Sequence, residues 1–437
     1  MATQFQVANT FLTPDVIARE ALLILENNIV STQLMSTSAT SDFTGARVGD
    51  TIRVRRPAFF GVDEFQRDNS NQTSTVKIQD AVETSVNLTI EKHFDVSFEV
   101  DSKELAFAVD DFNERLLKPA MSALAQKIDQ YALSKIARLG GLYGVPQSYT
   151  APASLSAIAG IVEKMNNQNI PMMNRKLLVS PGMQTALYSI PEFVRADIRG
   201  AATSPVEEAS LGRFMGMDTV MSQVLPKHNA LTSTAAVTAA TSLEYALAAD
   251  YSEGTTVINL NSGPASLWLR EGDTLSITYD DDVARDHVVT ADNQSSAGGV
   301  FTGVNIFPGL YGIAGASAVA KVGSNPAVPI VASSTNSVVN ITSTADATGT
   351  TSAAAPVTSY TMGAAFHPSA FQMVFVPQPN PMGPGTSSST VNYNGMSLRV
   401  LQTYDHVHKR DLISVDCLVG VAAVDGRLGV KVASVGG

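Results

Sequence analysis

The feature that most constrains this chain is a change of hydrophobic period between Val86 and Arg138. Val86, Leu88, Ile90, Phe94, Val96, Phe98 and Val100 alternate with Asn87, Thr89, Glu91, His93, Asp95, Ser97 and Glu99, and only Lys92 breaks the apolar row. Successive side chains of a strand point to opposite faces, so the pattern predicts one long strand with a buried and a wet face. After Asp101-Ser102-Lys103 the spacing shifts. Phe112, Leu116, Leu117, Met121, Leu124, Ile128, Ala132 and Ile136 recur at helical steps, the stripe of a helix laid on something flat. Pro119 inside that stripe predicts a kink, because proline removes a donor and crowds the preceding turn. A bent helix on a long strand is a scaffold and implies no chemistry by itself.

On the N-terminal side, Thr13-Pro14-Asp15 reads as a helix start: a hydroxyl cap, proline at the first position, then an acid against the dipole. Val16, Ile17, Ala21, Leu22, Leu25 and Ile29 continue as an apolar stripe. Its partner is either the chain's own core or a neighbouring subunit, and the residues leave both open. Thr51-Ile52-Arg53-Val54-Arg55-Arg56 alternates as a strand. Pro57 to Val82 then dissolves into polar residues, among them Asp63, Glu64, Arg67 and Asp68, before the strand near Ser85. Irregular excursions longer than about 12–15 residues tend to be functional or disordered. The pattern predicts a hairpin arm that projects and grips another molecule. Arg53, Arg55 and Arg56 either touch phosphate or pair with Glu91, Asp95 or Glu99 across the sheet, and the pairing is the better reading.

Beyond Gly140-Gly141, a helix over Ser154–Asn166, a buried strand at Lys176–Val179 and a helix near Met183–Ser189 predict a compact α/β domain reaching Pro226. From Asn229 to Ala355 the chain turns to Ala, Ser, Thr, Gly and Asn with short alternating runs (Thr256–Leu260, Ser266–Leu269, Thr274–Ile277, Val328–Val331). Recurrent turns such as Glu271-Gly272-Asp273 point to a small barrel or sandwich inserted into the α/β domain. Gly363–Phe371 reads as helical, and strands return at Met373–Val376, Met396–Leu401 and Leu412–Val421.

Charged residues are only 16% of the chain, against a usual share of roughly 25%. Extensive subunit contact explains this as well as a β-rich surface of Ser, Thr and Ala does. Residues 230–355 hold eleven acids and three bases, so they account for −8 of the net −11. Such a stretch is a poor binder of nucleic-acid backbone. Cys417 is the one cysteine, which excludes an intramolecular disulfide and fits a reducing compartment. Met1–Thr10 has no basic region followed by an apolar core, and no run nears the roughly 20 apolar residues that span a bilayer. A soluble protein made in a cytoplasm, with no membrane partner, is expected.

No phosphate-binding glycine loop and no nucleophile elbow occurs. Cys417 lies in a strand pattern and reads as an inert buried thiol. His406 and His408 flank Val407 on what reads as a wet strand face, without a third metal ligand. His367 before Pro368 reads as a turn residue, and Asp280-Asp281-Asp282 as a solvated turn lacking the spacing of a calcium loop. No metal, cofactor or catalytic residue is expected.

The order of parts, carried by Val86–Phe107, Asp111–Ile136, Leu177–Pro226, Glu271–Ile277 and Gly363–Phe371, resembles the HK97-fold major capsid proteins of tailed bacteriophages. More narrowly it resembles short-tailed phage coat proteins that carry an inserted β-barrel domain. The resemblance implies an α+β fold divided as follows: residues 1–42 an N-terminal arm and helix, 43–100 the extended loop and its strand base, 101–146 the peripheral domain with its spine helix. Residues 147–228 and 356–402 would form the axial domain, 229–355 the insertion, and 403–437 strands returning to the peripheral domain. It further implies self-assembly as hexamers and pentamers into an icosahedral shell around double-stranded DNA. Portal and scaffolding proteins would be partners, assembly would occur in a bacterial host's cytoplasm, and DNA would be enclosed without sequence-specific binding. Candidate subunit contacts are Arg53, Arg55, Arg56, Asp63, Glu64, Arg67 and Asp68. The competing readings are an encapsulin-like nanocompartment shell, and a β-rich enzyme or carbohydrate-binding protein using Trp268 or Tyr279 as a stacking platform, although Trp268 alternates with apolar neighbours as a core residue would.

Overall fold

The computed structural model describes residues 14–38, 51–55, 85–101, 116–143, 155–188, 190, 212–229, 244–249, 251–252, 254–261, 268–278, 284–296, 299–310, 330–332, 338–342, 359–381, 386–408 and 410–434. The expected arm tip, the runs 193–198 and 280–282, and Tyr279 lie outside them, as does the side chain of Trp268.

In chain order the elements begin with helices α1 (Pro14–Asn28) and α2 (Ser31–Leu34), strands β1 (Thr51–Arg55), β2 (Ser85–Thr89) and β3 (Lys92–Asp101), and helix α3 (Lys118–Ser134). Strand β4 (Gly141–Tyr143), helix α4 (Leu155–Asn167), strand β5 (Arg175–Val179), helix α5 (Pro181–Tyr188) and strands β6 (Arg213–Phe214), β7 (Met217–Met221) and β8 (Lys227–Asn229) follow. The Ala/Ser/Thr-rich region supplies β9 (Glu244–Leu247), β10 (Tyr251–Ser252), β11 (Val257–Asn261), β12 (Trp268–Leu269), β13 (Thr274–Thr278), β14 (Ala284–Val289), β15 (Asn293–Gln294), β16 (Phe301–Phe307), β17 (Ile330–Ala332) and β18 (Val338–Thr342). Last come β19 (Ser359–Phe366), β20 (Phe371–Val376), β21 (Thr386–Tyr393), β22 (Met396–Asp405), β23 (Arg410–Ala423) and β24 (Gly429–Ser434). The chain divides into two compact units: Met1–Val54, Asn87–Ser134 and Phe371–Ala422 in the first, and Arg55–Val86, Lys135–Ala370 and Ala423–Gly437 in the second.

In the first unit the long alternating segment is two strands. The ladder stops at Ile90-Glu91, beside the one lapse in the apolar row; β2 pairs with β1, while β3 joins the sheet of β20–β23 through β23. Helix α3 packs on the half-buried face of β3, with Phe94 and Tyr131 meeting edge to face at a centroid distance of 6.1 Å. Its buried stripe is Met121, Leu124, Ile128, Ala132 and Leu133. The regular helix runs from Lys118 with Pro119 in its first turn, and Leu116-Leu117 before it form a wider π turn, while residues 112–115 of the expected stripe lie outside the described residues.

Helix α1 buries Ile17, Ala18, Ala21, Leu22 and Leu25 within this unit, against α3 and strands β21 and β22. Its partner is therefore the chain's own core, at roughly 1.5–3 kcal/mol per fully buried large aliphatic side chain. Asp129 on α3 ties down the next turn, accepting from the backbone of Val30 at 3.1 Å and Ser31 at 2.9 Å. Burial of Asp129 raises its carboxyl above the usual range despite these bonds.

In the second unit a seven-stranded sheet runs β4-β24-β19-β5-β7-β6, with β8 also paired to β19. Helices α4 and α5 cover one face through Ile158, Ile161, Met165, Met183 and Leu187, which pack on Leu177, Val179, Ala365, Val430 and Val432. Ser180 caps α5 by accepting from Met183 N at 3.2 Å. Gly363–Phe366, expected to be helical, is the C-terminal half of β19, and only Pro368–Ala370 forms a helical turn. Met362 to Phe366 are all buried, so no period of two is left in the sequence to reveal the strand. Small residues are required there for packing: a Cβ on Gly363 would sit 2.9 Å from the Leu178 carbonyl.

Strands β11-β16-β14-β13-β18-β9 close into a barrel. Burial alternates along β11 and β16, where Ile258, Leu260, Phe301, Val304 and Ile306 point inward. The chain enters the barrel after β8 and leaves it before β19, and these two strands are paired neighbours. Two assignments implied by the resemblance fall differently. Residues 371–402, expected beside 147–228, lie in the unit of β3, and β24 joins the sheet of β5 and β19.

Candidate subunit-contact surface

The base of the expected arm is the ribbon β1–β2. Ile52 and Val54 pack with Leu88, Ile90, Val374, Val376 and Ala422, which leaves Thr51, Arg53 and Arg55 on the opposite, exposed face. Two arginines on one strand face stand roughly 7 Å apart, a spacing suited to paired carboxylates or phosphates on another surface. Arg56, Asp63, Glu64, Arg67 and Asp68 lie outside the described residues.

Two of the acids expected to pair with these arginines, Asp95 and Glu99, belong to β3, whose ladder partner is β23 and not β1. Asp95 accepts from Ser97 and Ser414, Glu99 pairs with Arg410, and Glu91 accepts from Tyr131 at 3.1 Å. The cause is the break at Ile90-Glu91, which sends the two halves of the alternating run to different partners.

Other chemistry-bearing residues resolve as structural. Cys417 is 1% exposed, and burial with neighbouring Asp416 pushes its thiol up to about 12, so the nucleophilic thiolate is suppressed at neutral pH. His406 and His408 are not on a strand face but in the turn after β22, where the His408 ring bonds Asp405 at 2.7 Å. His367 does lie at a turn, its ring beside the Ser369 hydroxyl at 2.5 Å. His287 is fully buried in β14, its Nδ1 donating to the Pro308 carbonyl at 2.9 Å, and burial lowers it to about 4. Among the described residues no group of three or more His, Cys, Asp or Glu side chains could hold a metal ion, and no helix is long and apolar enough to cross a membrane.

Among the buried charges of the described residues, Asp416 and Lys431 are two that the sequence does not signal. Asp416 on β23 receives Arg399 Nε at 3.0 Å and Nη2 at 2.5 Å, with His93 Nε2 at 3.0 Å and Gln378 beyond it. Lys431 on β24 has no exposed surface and donates to the Gly272 carbonyl at 2.6 Å. Neither has a local signal. Val430-Lys431-Val432 reads as an ordinary strand with its lysine in water, and Arg399 meets Asp416 only through the β22–β23 register.

No protein-family model matches the chain, and no curated protein matches it. Solved structures do. A structure of Mycobacterium phage Che8 is similar at 12% identity and a TM-score of 0.45, over 92% of this chain and 90% of that one. The capsid of cyanophage P-SCSP1u is similar at 12% identity and a TM-score of 0.41, over 90% and 85%. The mature capsid of bacteriophage PhiM1 is similar at 11% identity and a TM-score of 0.42, over 89% and 83%.

Proposed function

We propose that this chain is a major capsid protein, a structural subunit without catalytic activity whose copies close into an icosahedral shell of hexamers and pentamers around double-stranded DNA. The observation that carries the reading is topological. A closed barrel lies in the chain between β8 and β19, and these two strands are themselves paired, so the sheet continues across the intervening residues. Together with the helix-on-strand scaffold of β3 and α3, this supports the HK97-type architecture with an insertion.

The charge distribution fits the assignment. Residues 230–355, with −8 of the net charge, face outward from the shell, away from the enclosed DNA. Subunits bind through the ribbon face of Arg53 and Arg55 and the polar excursion beyond it, each contact weak and the closed shell strong by repetition. Assembly takes place in the bacterial host cytoplasm with scaffolding and portal proteins, and the finished location is the virion.

Velocity sedimentation tests this. The full chain, expressed with a scaffolding protein, is expected to sediment as megadalton particles. The Arg53→Glu/Arg55→Glu variant is expected to keep its circular dichroism and melting temperature while losing at least about tenfold in particle yield, as like charges replace complementary ones. Particles of unchanged yield from the variant would remove the ribbon from the interface. A chain that stays monomeric under all assembly conditions would overturn the assignment.

A further inference from the structure

The barrel meets the seven-stranded sheet and its covering helix at several places, among them the turn Glu271–Asp273, between β12 and β13, which two side chains of the sheet's strands grip. Lys431 of β24 donates to Gly272 O at 2.6 Å and, more weakly, to Ala137 O at 3.5 Å. His228 of β8 bonds Asp273 Oδ1 at 2.9 Å, and Asp273 Oδ2 accepts from Arg270 N at 2.7 Å. The turn is fastened to the barrel in turn, since Gly272 N donates to Val289 O at 2.8 Å and Val289 N to Asp273 O at 2.9 Å. Only glycine fits its centre. Gly272 has φ +97°, and a Cβ there would meet His228 Nδ1 at 3.0 Å.

The chemistry of the grip is unusual. Lys431 is flanked in its sheet by Leu142 and Ala364, which offer no charge. Asp273 and Asp286 favour its ammonium form from a distance, Lys164 opposes it, and Lys164 is itself engaged by Asp286 at 2.6 Å. At the rim of the same turn Glu271 meets Arg138 at 3.5 Å, and Asp292 meets Arg270 at 2.8 Å. Among the described residues no carboxylate stands within ion-pair distance of Lys431. Two carbonyl acceptors match the two N–H groups of a neutral amine. An ammonium has a third N–H and a buried charge left over.

We propose that Lys431 and the Glu271–Asp273 turn form a proton-sensitive catch holding the barrel against the sheet, looser with an ammonium and tighter with a neutral amine. Burial supports this by bringing the lysine from 10.5 down to about 7. When the catch opens and the amine is hydrated, the ordinary value of 10.5 returns. The open state therefore binds more protons between those two values, so closure strengthens as pH rises through that window, by up to about tenfold per pH unit. Below about 7 the amine is charged in both states and the opening constant stays at its highest. The device is independent of the shell reading.

Deuterium uptake of the full chain across residues 268–275 and 284–292, corrected for intrinsic exchange, provides the test. Between about pH 7 and pH 9 the wild type is expected to gain at least about tenfold in protection, and Lys431→Met to show no change. His228→Gln is expected to keep the wild-type pH response. Spectra of the full chain with 13Cε-labelled lysine give a readout that needs no variant, with one resonance titrating near 7. Equal pH responses in wild type and Lys431→Met, or lysines that all titrate near 10.5, would overturn the proposal.

Discussion

In the first unit Asp416 is 3% exposed and held by both arms of Arg399 and by His93, whereas in the second unit Lys431 is fully buried and donates to the carbonyls of Gly272 and Ala137. The two strands that carry them follow one another in the chain, yet their charges are settled in opposite ways. A bidentate arginine compensates a buried carboxylate, and breaking such a pair leaves a charge stranded. Lysine beside carbonyls is compensated only when it gives up its proton. The first arrangement fixes a sheet, and the second leaves a joint that responds to solution conditions.

Breaking the compensated pair should have the largest effect. Arg399→Met is expected to destabilise the first unit by about 3–5 kcal/mol, read from urea denaturation by circular dichroism. A loss below about 1 kcal/mol would mean that His93 and solvent suffice for Asp416. Next is the turn at the other site. Gly272→Ala is expected to cost about 1–3 kcal/mol, because it strains a left-handed backbone and pushes on His228. Denaturation followed by emission of Trp268, the chain's one tryptophan, measures it.

Smaller still, Lys431→Met is expected to be within about 1 kcal/mol of wild type at neutral pH, or stabilising, because it removes a buried charge that has no carboxylate within ion-pair distance among the described residues. A loss as large as that of Arg399→Met would erase the contrast. The smallest expected effect is on Cys417. Its thiol, pushed up to about 12, is expected to resist a disulfide reagent at mildly alkaline pH until denaturant is added. Rapid labelling of the folded chain would show that β23 opens locally around Asp416.

What the sequence made legible was whatever depended on short spacing. The change of period at Asp101–Lys103 marks the passage from strand to helix, the stripe Ile17–Leu25 marks a buried helix, and recurrent turns mark a small barrel. Even the break in the long strand lies beside its one irregular residue, Lys92. Registers between distant strands were not legible. Asp95 and Glu99 follow Arg53 and Arg55 closely in the chain, yet the strand that carries them, β3, pairs with residues 410–419. Gly363–Phe366 defeated the reading for a different reason: both faces are covered, so polar and apolar positions do not alternate. Lys431 combines both difficulties, since its burial depends on a turn some 160 residues earlier in the chain.

Assembly is open to direct observation by electron microscopy of the purified protein. Closed particles of icosahedral symmetry are expected, with the 244–342 barrel on the outer surface. A homogeneous monomer or small oligomer under every assembly condition, with scaffolding protein present, would contradict that expectation.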